Sequence, residues 1–360
     1  MQHPTNKWMI QVPRLFGLYR RSGKLRNFQE MLSNIFAPLW EASIHPERHP
    51  FLHIFLANIS AMDSVDNESD REGDQSVFVS PELWTAPHNP PFFYYMYYMW
   101  ANLVTLNRYR SRRGLSTLKF RPHAGESGDP DHMAEVFLLA DGIGHGINLM
   151  YRPVLQYLYY LAQIPLALVP LSNNSLFCKY EHNPLPLFFR RGLQVAIATD
   201  GALMFHRTEQ PLVEEYSTAQ NFWSLSNTDI SELALNSILM SGFSDQQKRQ
   251  WLGPLYSLRS IVGNDVRRSK VAHTRVTFRY EVYIEEIAYL QNRSAAEILN
   301  PAMLNPLREN ILTLDLVGLT REEALSRNMR QKKMVERETN LSVVPREVNQ
   351  NELTLSRGKL

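Results

Sequence analysis

The sequence predicts an α/β fold in which helices cover a parallel β-sheet. Short apolar runs alternate with longer amphipathic stretches along most of the chain, and at least four such strand–helix units follow one another. Strands that alternate with helices in this way build parallel sheets. The polar residues most suited to chemistry also stand at the ends of predicted strands, as they do on the C-terminal face of barrels. Together these observations favour a barrel of the (β/α)8 type over an open sheet.

The first part of the chain contains strands and helices in an irregular order. A strand is predicted over residues 8–12 and ends at a proline, which has no amide hydrogen for a strand ladder. Residues 28–42 place apolar side chains at helical spacing, whereas residues 59–65 form a weaker strand candidate. The polar, proline-rich residues 66–91 indicate a long loop, and residues 92–113 an aromatic helix with arginines near its C-terminus.

From residue 117 onward the alternation becomes regular. The predicted strands and strand ends are residues 117–121, 142–146, 166–170 and 193–199. The predicted helices are residues 133–140, 154–163, 186–191, 213–225 and 230–241. We place one barrel region over residues 1–325, and we expect residues 326–360, which are rich in charged and amide side chains, to be a polar, disordered tail.

The composition excludes several classes of function. A chain of 360 residues, 44% of them hydrophobic, can bury a sizeable core, and its net charge of +2 lacks the basic excess of proteins that bind nucleic acids. The longest apolar stretch, residues 92–106, is shorter than the roughly 20 residues that span a bilayer. Cys178 is the single cysteine, so a disulfide within the chain is excluded and a reducing compartment is expected.

Four polar residues at predicted strand ends are the candidates for chemistry. His123 and Glu126 stand three residues apart in a glycine-containing turn, where they could supply a metal ligand and a proton donor. His145 lies between two glycines, so a substrate or a metal could approach its ring. Asp200 ends a buried apolar run, and a carboxylate at the edge of a dry interior needs a metal or a cationic partner. Each also has a purely structural interpretation, as a histidine satisfied in the core, a carboxylate at a helix N-terminus or an N-cap.

Longer blocks around these residues resemble one enzyme family. Residues 120–126 (FRPHAGE), 144–146 (GHG) and 198–200 (ATD) resemble the motifs of the adenosine and AMP deaminases. Further blocks narrow the resemblance to the AMP deaminases, and these blocks are residues 8–14, 154–164, 170–177, 240–244 and 263–268. The resemblance runs from about residue 8 to about residue 290.

The resemblance implies a barrel of the metal-dependent hydrolase kind that converts AMP to IMP and ammonia in purine nucleotide salvage. It implies one Zn²⁺ per subunit, with His123 and Asp200 as zinc ligands and a zinc-bound water that attacks C6 of the purine. His145 is then the base that takes a proton from this water, and Glu126 contacts purine N1 and donates a proton there. Glu126 and Leu203 are the expected substrate-binding residues. The cytosol and a homo-oligomer, a tetramer in the family, are implied as well, with no nucleic acid or membrane partner.

Two departures from the family pattern leave an alternative open. No His-x-His pair occurs in the 360 residues, although the family carries one on its first barrel strand, so we expect an incomplete barrel that begins at the second strand. Such a barrel has uncovered strand edges, which favour aggregation or a partner strand. Gly201 replaces an aspartate that binds the purine, and the loss of one charge-assisted hydrogen bond costs roughly 1.5–3 kcal/mol. The alternative is a catalytically degenerate paralogue or fragment that acts as a binding or regulatory subunit.

Overall fold

The computed structural model of the protein describes residues 6–70 and 79–292. The strands in this part of the chain are β1 (Trp8–Pro13), β2 (Ile59–Val65), β3 (Lys119–Phe120), β4 (His123–Ala124), β5 (Ile143–His145), β6 (Leu166–Leu168) and β7 (Val195–Ile197). The helices are α1 (Phe16–Arg21), α2 (Phe28–Ile44), α3 (Pro50–Asn58), α4 (Phe92–Arg112), α5 (His132–Phe137), α6 (Pro153–Ala162), α7 (Pro170–Leu176), α8 (Leu185–Arg190), α9 (Ala202–Phe205), α10 (Pro211–Trp223), α11 (Asn227–Met240), α12 (Asp245–Leu252), α13 (Val266–Ser269) and α14 (His273–Leu290). None of the helices described is long and apolar enough to cross a membrane.

The chain divides into two compact units, Met1–Tyr283 and Ile284–Leu360. All the strands above belong to the first unit. The domain boundary that the sequence predicts between residues 325 and 326 lies outside the described residues, so it stays a prediction.

All the strand pairs are parallel. One ladder has the order β1-β2-β3 and a second the order β4-β5-β6-β7. In register, Met62 pairs with Phe120 and Leu168 pairs with Ile197. The predicted α/β class with a parallel sheet is thereby confirmed. Among the described residues β1 and β7, at the two ends of the series, do not pair with each other.

The two ladders meet at Pro122, which has no amide hydrogen to donate. On one side of it, Arg121 N still donates to Met62 O at 2.8 Å, and Pro122 O accepts from Gly144 N at 3.0 Å. His123 N turns away from the backbone of β2 and donates instead to a side chain, the carboxylate of Asp63. The segment from β3 to β4 therefore joins the two ladders. Its regular backbone hydrogen bonding is interrupted at His123, whose amide binds the Asp63 side chain instead.

An aromatic cluster fixes the first two long helices against each other. The Phe28 ring in α2 lies 4.9 Å from the Tyr95 ring in α4 and 5.7 Å from that of Tyr94, measured between centroids. The helix α2 begins at Asn27, whose side chain accepts a hydrogen bond from Glu30 N, as an N-cap does. Burial of each such aromatic side chain stabilises the fold by about 1.5–3 kcal/mol.

The predicted elements agree with those observed except at their ends. The strand expected over residues 59–65 is β2, and the aromatic helix expected over residues 92–113 is α4. The strand expected over residues 193–199 narrows to β7. Its first residue, Leu193, donates its amide hydrogen to Phe188 O in the preceding helix, so it belongs to a helix end rather than to the sheet.

Gly128 allows the loop after β4 to approach the loop after β2. Its φ is +69°, and a Cβ at this position would lie 1.8 Å from Glu68 O. Gly114 has a similar φ of +70° but faces open space. Both glycines therefore have a left-handed backbone conformation. Of the two, only Gly128 also lacks space for a side chain.

We predict that Gly128→Ala lowers the free energy of unfolding by more than about 2 kcal/mol. The left-handed backbone alone costs an alanine about 1–2 kcal/mol, and the clash with Glu68 adds to this. Gly114→Ala is the matched control and should lose the backbone contribution only. Urea unfolding of both variants measures the difference, and equal losses would contradict the close approach of the two loops.

Candidate active site

His123, the first residue of β4, is held by a buried carboxylate. Asp63 Oδ1 lies 2.9 Å from His123 Nδ1 and accepts a hydrogen bond from His123 N at 3.0 Å. Gln11 Nε2 donates to Asp63 Oδ2 at 2.9 Å, and the Asp63 side chain is completely buried. Burial disfavours the imidazolium, but the hydrogen bond and charge of Asp63, with smaller effects from Glu126 and Glu68, outweigh it and raise the pKa of His123. Because Asp63 engages Nδ1, the ring keeps Nε2 for a metal or a substrate.

His145, the last residue of β5, has a strained backbone. Its φ is 68° and that of Gly146 is 81°, and the left-handed region costs a residue with a side chain about 1–2 kcal/mol. This turn brings the His145 ring to within 5.0 Å of the His123 ring, between centroids, and its Nδ1 to 3.1 Å from Asn173 Nδ2. Burial, and then the charge of His123, lower the pKa of His145 to about 4. The ring is therefore neutral near pH 7 and able to accept a proton.

Glu126 carries a buried oxygen that has no hydrogen-bond partner among the described residues. This oxygen, Oε1, lies 3.3 Å from His145 Nδ1 but without the geometry of a hydrogen bond. Burial raises the pKa of Glu126 to about 7, with His123 opposing the rise and Asp200 and Glu68 adding to it. A carboxyl group with such a pKa can exchange a proton with a bound substrate at neutral pH.

A second buried carboxylate orients the turn that carries Glu126. Glu68 Oε2 accepts a hydrogen bond from Gly125 N at 2.6 Å, and Glu68 Oε1 lies 3.5 Å from Glu126 N. The Glu68 side chain is 2% exposed, and His132 Nδ1 lies 3.5 Å from its Oε2. Two successive amides of the turn thus point at one carboxylate, which fixes where the Glu126 side chain starts.

Asp200 follows β7 and is tied to α7, the helix after β6. Ser172 Oγ donates to Asp200 Oδ2 at 2.7 Å. Glu215, on α10, accepts from Leu171 N at 3.0 Å, and its Oε1 lies 2.9 Å from His206 Nε2. The side chains of Glu215 and His206 are fully buried. Glu215 therefore connects the helix that carries Ser172 with the segment that follows Asp200.

Three of these residues bring donor atoms close enough together for one metal ion. The donor atoms of Glu126, His145 and Asp200 all lie within 4.8 Å of one another, and the His123 ring lies beside that of His145. Imidazole and carboxylate donors are the set that zinc binds in catalytic sites. His123 is not among these three residues, but the unpartnered Glu126 oxygen is consistent with a cation in the cluster. The residues present therefore fit a metal ion.

The structure gathers the sequence-predicted residues His123, Glu126, His145 and Asp200 at the carboxyl ends of the strands. Leu203 is different, because its side chain on α9 is fully exposed. Sequence reasoning missed the carboxylates that hold the loops, which are Asp63, Glu68 and Glu215. Of these, only Asp63 carried a usable signal, since it is a charged residue within the apolar run of a predicted strand.

The chain is similar in sequence to proteins of one family. The family model described as AMP deaminase matches residues 1–296. A probable AMP deaminase of Oryza sativa is 49% identical, with 80% of this chain and 35% of that protein covered. AMP deaminase 3 of Mus musculus is 48% identical, with 82% of this chain and 39% of that protein covered, and an AMP deaminase of Dictyostelium discoideum is 51% identical, with 78% and 35% covered. The chain thus spans little more than a third of the length of these relatives.

Two solved structures also align with the chain. An adenine deaminase from Arthrobacter aurescens is 19% identical with a TM-score of 0.45, and the alignment covers 68% of this chain and 58% of that one. The N6-methyl-AMP deaminase of Arabidopsis thaliana, in its apo form, is 14% identical with a TM-score of 0.44, and the alignment covers 68% and 56%.

We predict that Asp63→Asn weakens Zn²⁺ binding about 10- to 100-fold without removing a metal donor. The neutral amide no longer supports the His123 ring electrostatically, and loss of such an outer partner has this effect in metal sites. Isothermal titration with Zn²⁺ measures the change, and Asp245→Asn, an exposed carboxylate on α12, is the control that should bind as the unmodified chain does. Unchanged zinc affinity in Asp63→Asn would show that His123 takes no part in metal binding.

Proposed function

Because the chain belongs to the AMP deaminase family, we propose that this protein hydrolyses AMP to IMP and ammonia. The observation that carries the proposal is the cluster of Glu126, His145 and Asp200, whose donor atoms converge within 4.8 Å where strands end. The family match over residues 1–296 supports AMP as the substrate. A water molecule replaces the exocyclic amino group at C6, and the amino group leaves as ammonia.

We propose Zn²⁺ as the metal, held by His123 through Nε2 and by Asp200. When bound, zinc would supply one chemical property, since it lowers the pKa of a water molecule to about 7. The contact of Asp63 with His123 Nδ1 and that of Ser172 with Asp200 Oδ2 support these assignments, because metal ligands are commonly oriented by such outer partners.

Glu126 and His145 take complementary proton-transfer roles in this proposal. His145 is neutral and buried beside the metal donors, which suits a group that accepts a proton from the attacking water. Glu126 is protonated in part near neutral pH, which suits a group that donates to purine N1. The 3.3 Å between Glu126 Oε1 and His145 Nδ1 lets both groups reach one substrate ring.

Leu203 is assigned to the substrate because its side chain is exposed three residues after Asp200, on the helix that follows the cluster. Gly201, between Asp200 and Leu203, has no side chain to offer the substrate. In this proposal the polar contacts to the purine therefore come from Glu126 and from the backbone of residues 200–203. The parallel strands support a (β/α)8 barrel for the whole protein, with further strands beside β1 and β7. We further propose that the protein acts in the cytosol as a homo-oligomer.

The test is an AMP-to-IMP absorbance assay, with released ammonia measured in parallel, on the zinc-loaded 360-residue chain. We expect turnover of AMP, and we expect Glu126→Gln to reduce kcat by about 100-fold or more, because general acid catalysis contributes about 10²–10⁴. Glu181→Gln, at an exposed position, is the control that should keep full activity.

Calorimetric titration with AMP separates the outcomes. Turnover that is insensitive to Glu126→Gln would overturn the role of this residue. Stoichiometric zinc and AMP binding with no turnover would overturn the enzymatic proposal and leave a nucleotide-binding subunit.

A further inference from the structure

Arg121 lies on the same face of the sheet as His123. It is two residues earlier in the chain and therefore further from the carboxyl ends of the strands. A Cβ built on Gly144 would lie 3.5 Å from His123 Nδ1, and one built on Gly142 would lie 3.7 Å from Arg121 Nε. Gly142 and Gly144 are two residues apart at β5, so their Cβ positions face the same side of the strand. The guanidinium therefore occupies the layer next to the metal donors, against Gly142, which precedes β5 and has no side chain.

The guanidinium of Arg121 has unmet hydrogen-bonding capacity. Its Nε and Nη2 are both buried, and neither has a hydrogen-bond partner in the part of the chain that the structure describes. None of the described carboxylates forms an ion pair with Arg121. The nearest acidic influence is Asp141, whose Oδ2 is engaged by Phe120 N at 2.9 Å. A guanidinium keeps its charge in proteins, so two buried N–H donors without partners cost free energy that a bound ligand can offset.

Two lysines add to the positive charge around Arg121. Burial, and then the charges of Lys119 and Arg121, lower the pKa of Lys248 to about 8. Lys248 Nζ donates to Leu239 O at 2.7 Å and to Ser241 O at 2.8 Å, which holds the ammonium in place. The charges of Lys119 and Arg121 thus both act on Lys248, and an anion bound at Arg121 would reduce this repulsion.

We propose that Arg121, flanked by Lys119 and Lys248, is a binding site for an oxyanion, separate from the deaminase site. The guanidinium offers adjacent N–H donors in a planar fork, which matches the two oxygens of a carboxylate or of a phosphate. The oxyanion comes either from a free phosphate or from a carboxylate side chain of polypeptide packed on this face of the sheet. Both sources share the same chemistry at Arg121.

Calorimetric titration and thermal melting of the full 360-residue chain test the site, with inorganic phosphate and acetate as probes at constant ionic strength in chloride. We expect saturable binding of at least one probe, a rise in Tm of about 2 °C at ten times its Kd, and at least tenfold weaker binding in Arg121→Met. Arg267→Met, at an exposed position, is the matched control and should bind as the unmodified chain does.

The stability of Arg121→Met in chloride alone gives a second readout. With no oxyanion present, removal of an uncompensated buried charge should leave Tm unchanged or raise it. Tighter binding of phosphate assigns the site to a free phosphate, and tighter binding of acetate assigns it to a side-chain carboxylate. Equal probe binding by Arg121→Met would place the anion elsewhere, for example at the metal. That result, binding of neither probe, or a marked loss of Tm in chloride would overturn the proposal.

Discussion

The buried carboxylate of Asp63 is the interaction on which the candidate site depends. It receives hydrogen bonds from Gln11 on β1 and from the backbone and ring of His123, so one side chain links three strand positions of the sheet. Pro122 breaks the regular ladder just where the His123 amide is needed for this purpose. A charge buried this deeply is stable only while all its partners are in place, so fold and site geometry depend on the same contact.

Other segments around the site are also held by hydrogen bonds from polar side chains elsewhere in the chain. Glu68 holds the turn of Glu126, Ser172 holds Asp200, and Glu215 holds the segments on both sides of that pair. Glu126 and Asp200 therefore sit on segments that are fixed by residues outside the reacting set. Such support keeps catalytic groups in position before a substrate arrives, which lowers the reorganisation that the reaction requires.

The strands and helices with clear periodicity could be predicted from the sequence, and so could the family. α4 lies close to its expected bounds because its apolar pattern is long, and β2 has the bounds of the weaker strand candidate. The contact of Asp63 with His123 could not be predicted, since the two residues are 60 positions apart and their pairing depends on the register of β2 with the next strand. The idle guanidinium of Arg121 was also invisible, because burial without a partner is a property of three-dimensional packing alone.

The left-handed backbone of His145 places a limit on how this protein can evolve. A glycine or asparagine would adopt that conformation at lower cost, and the chain would then be more stable. It would also lose the imidazole at the centre of the donor cluster. Selection for stability and selection for chemistry therefore act in opposite directions at this single position, and the histidine persists only where the chemistry is worth the strain.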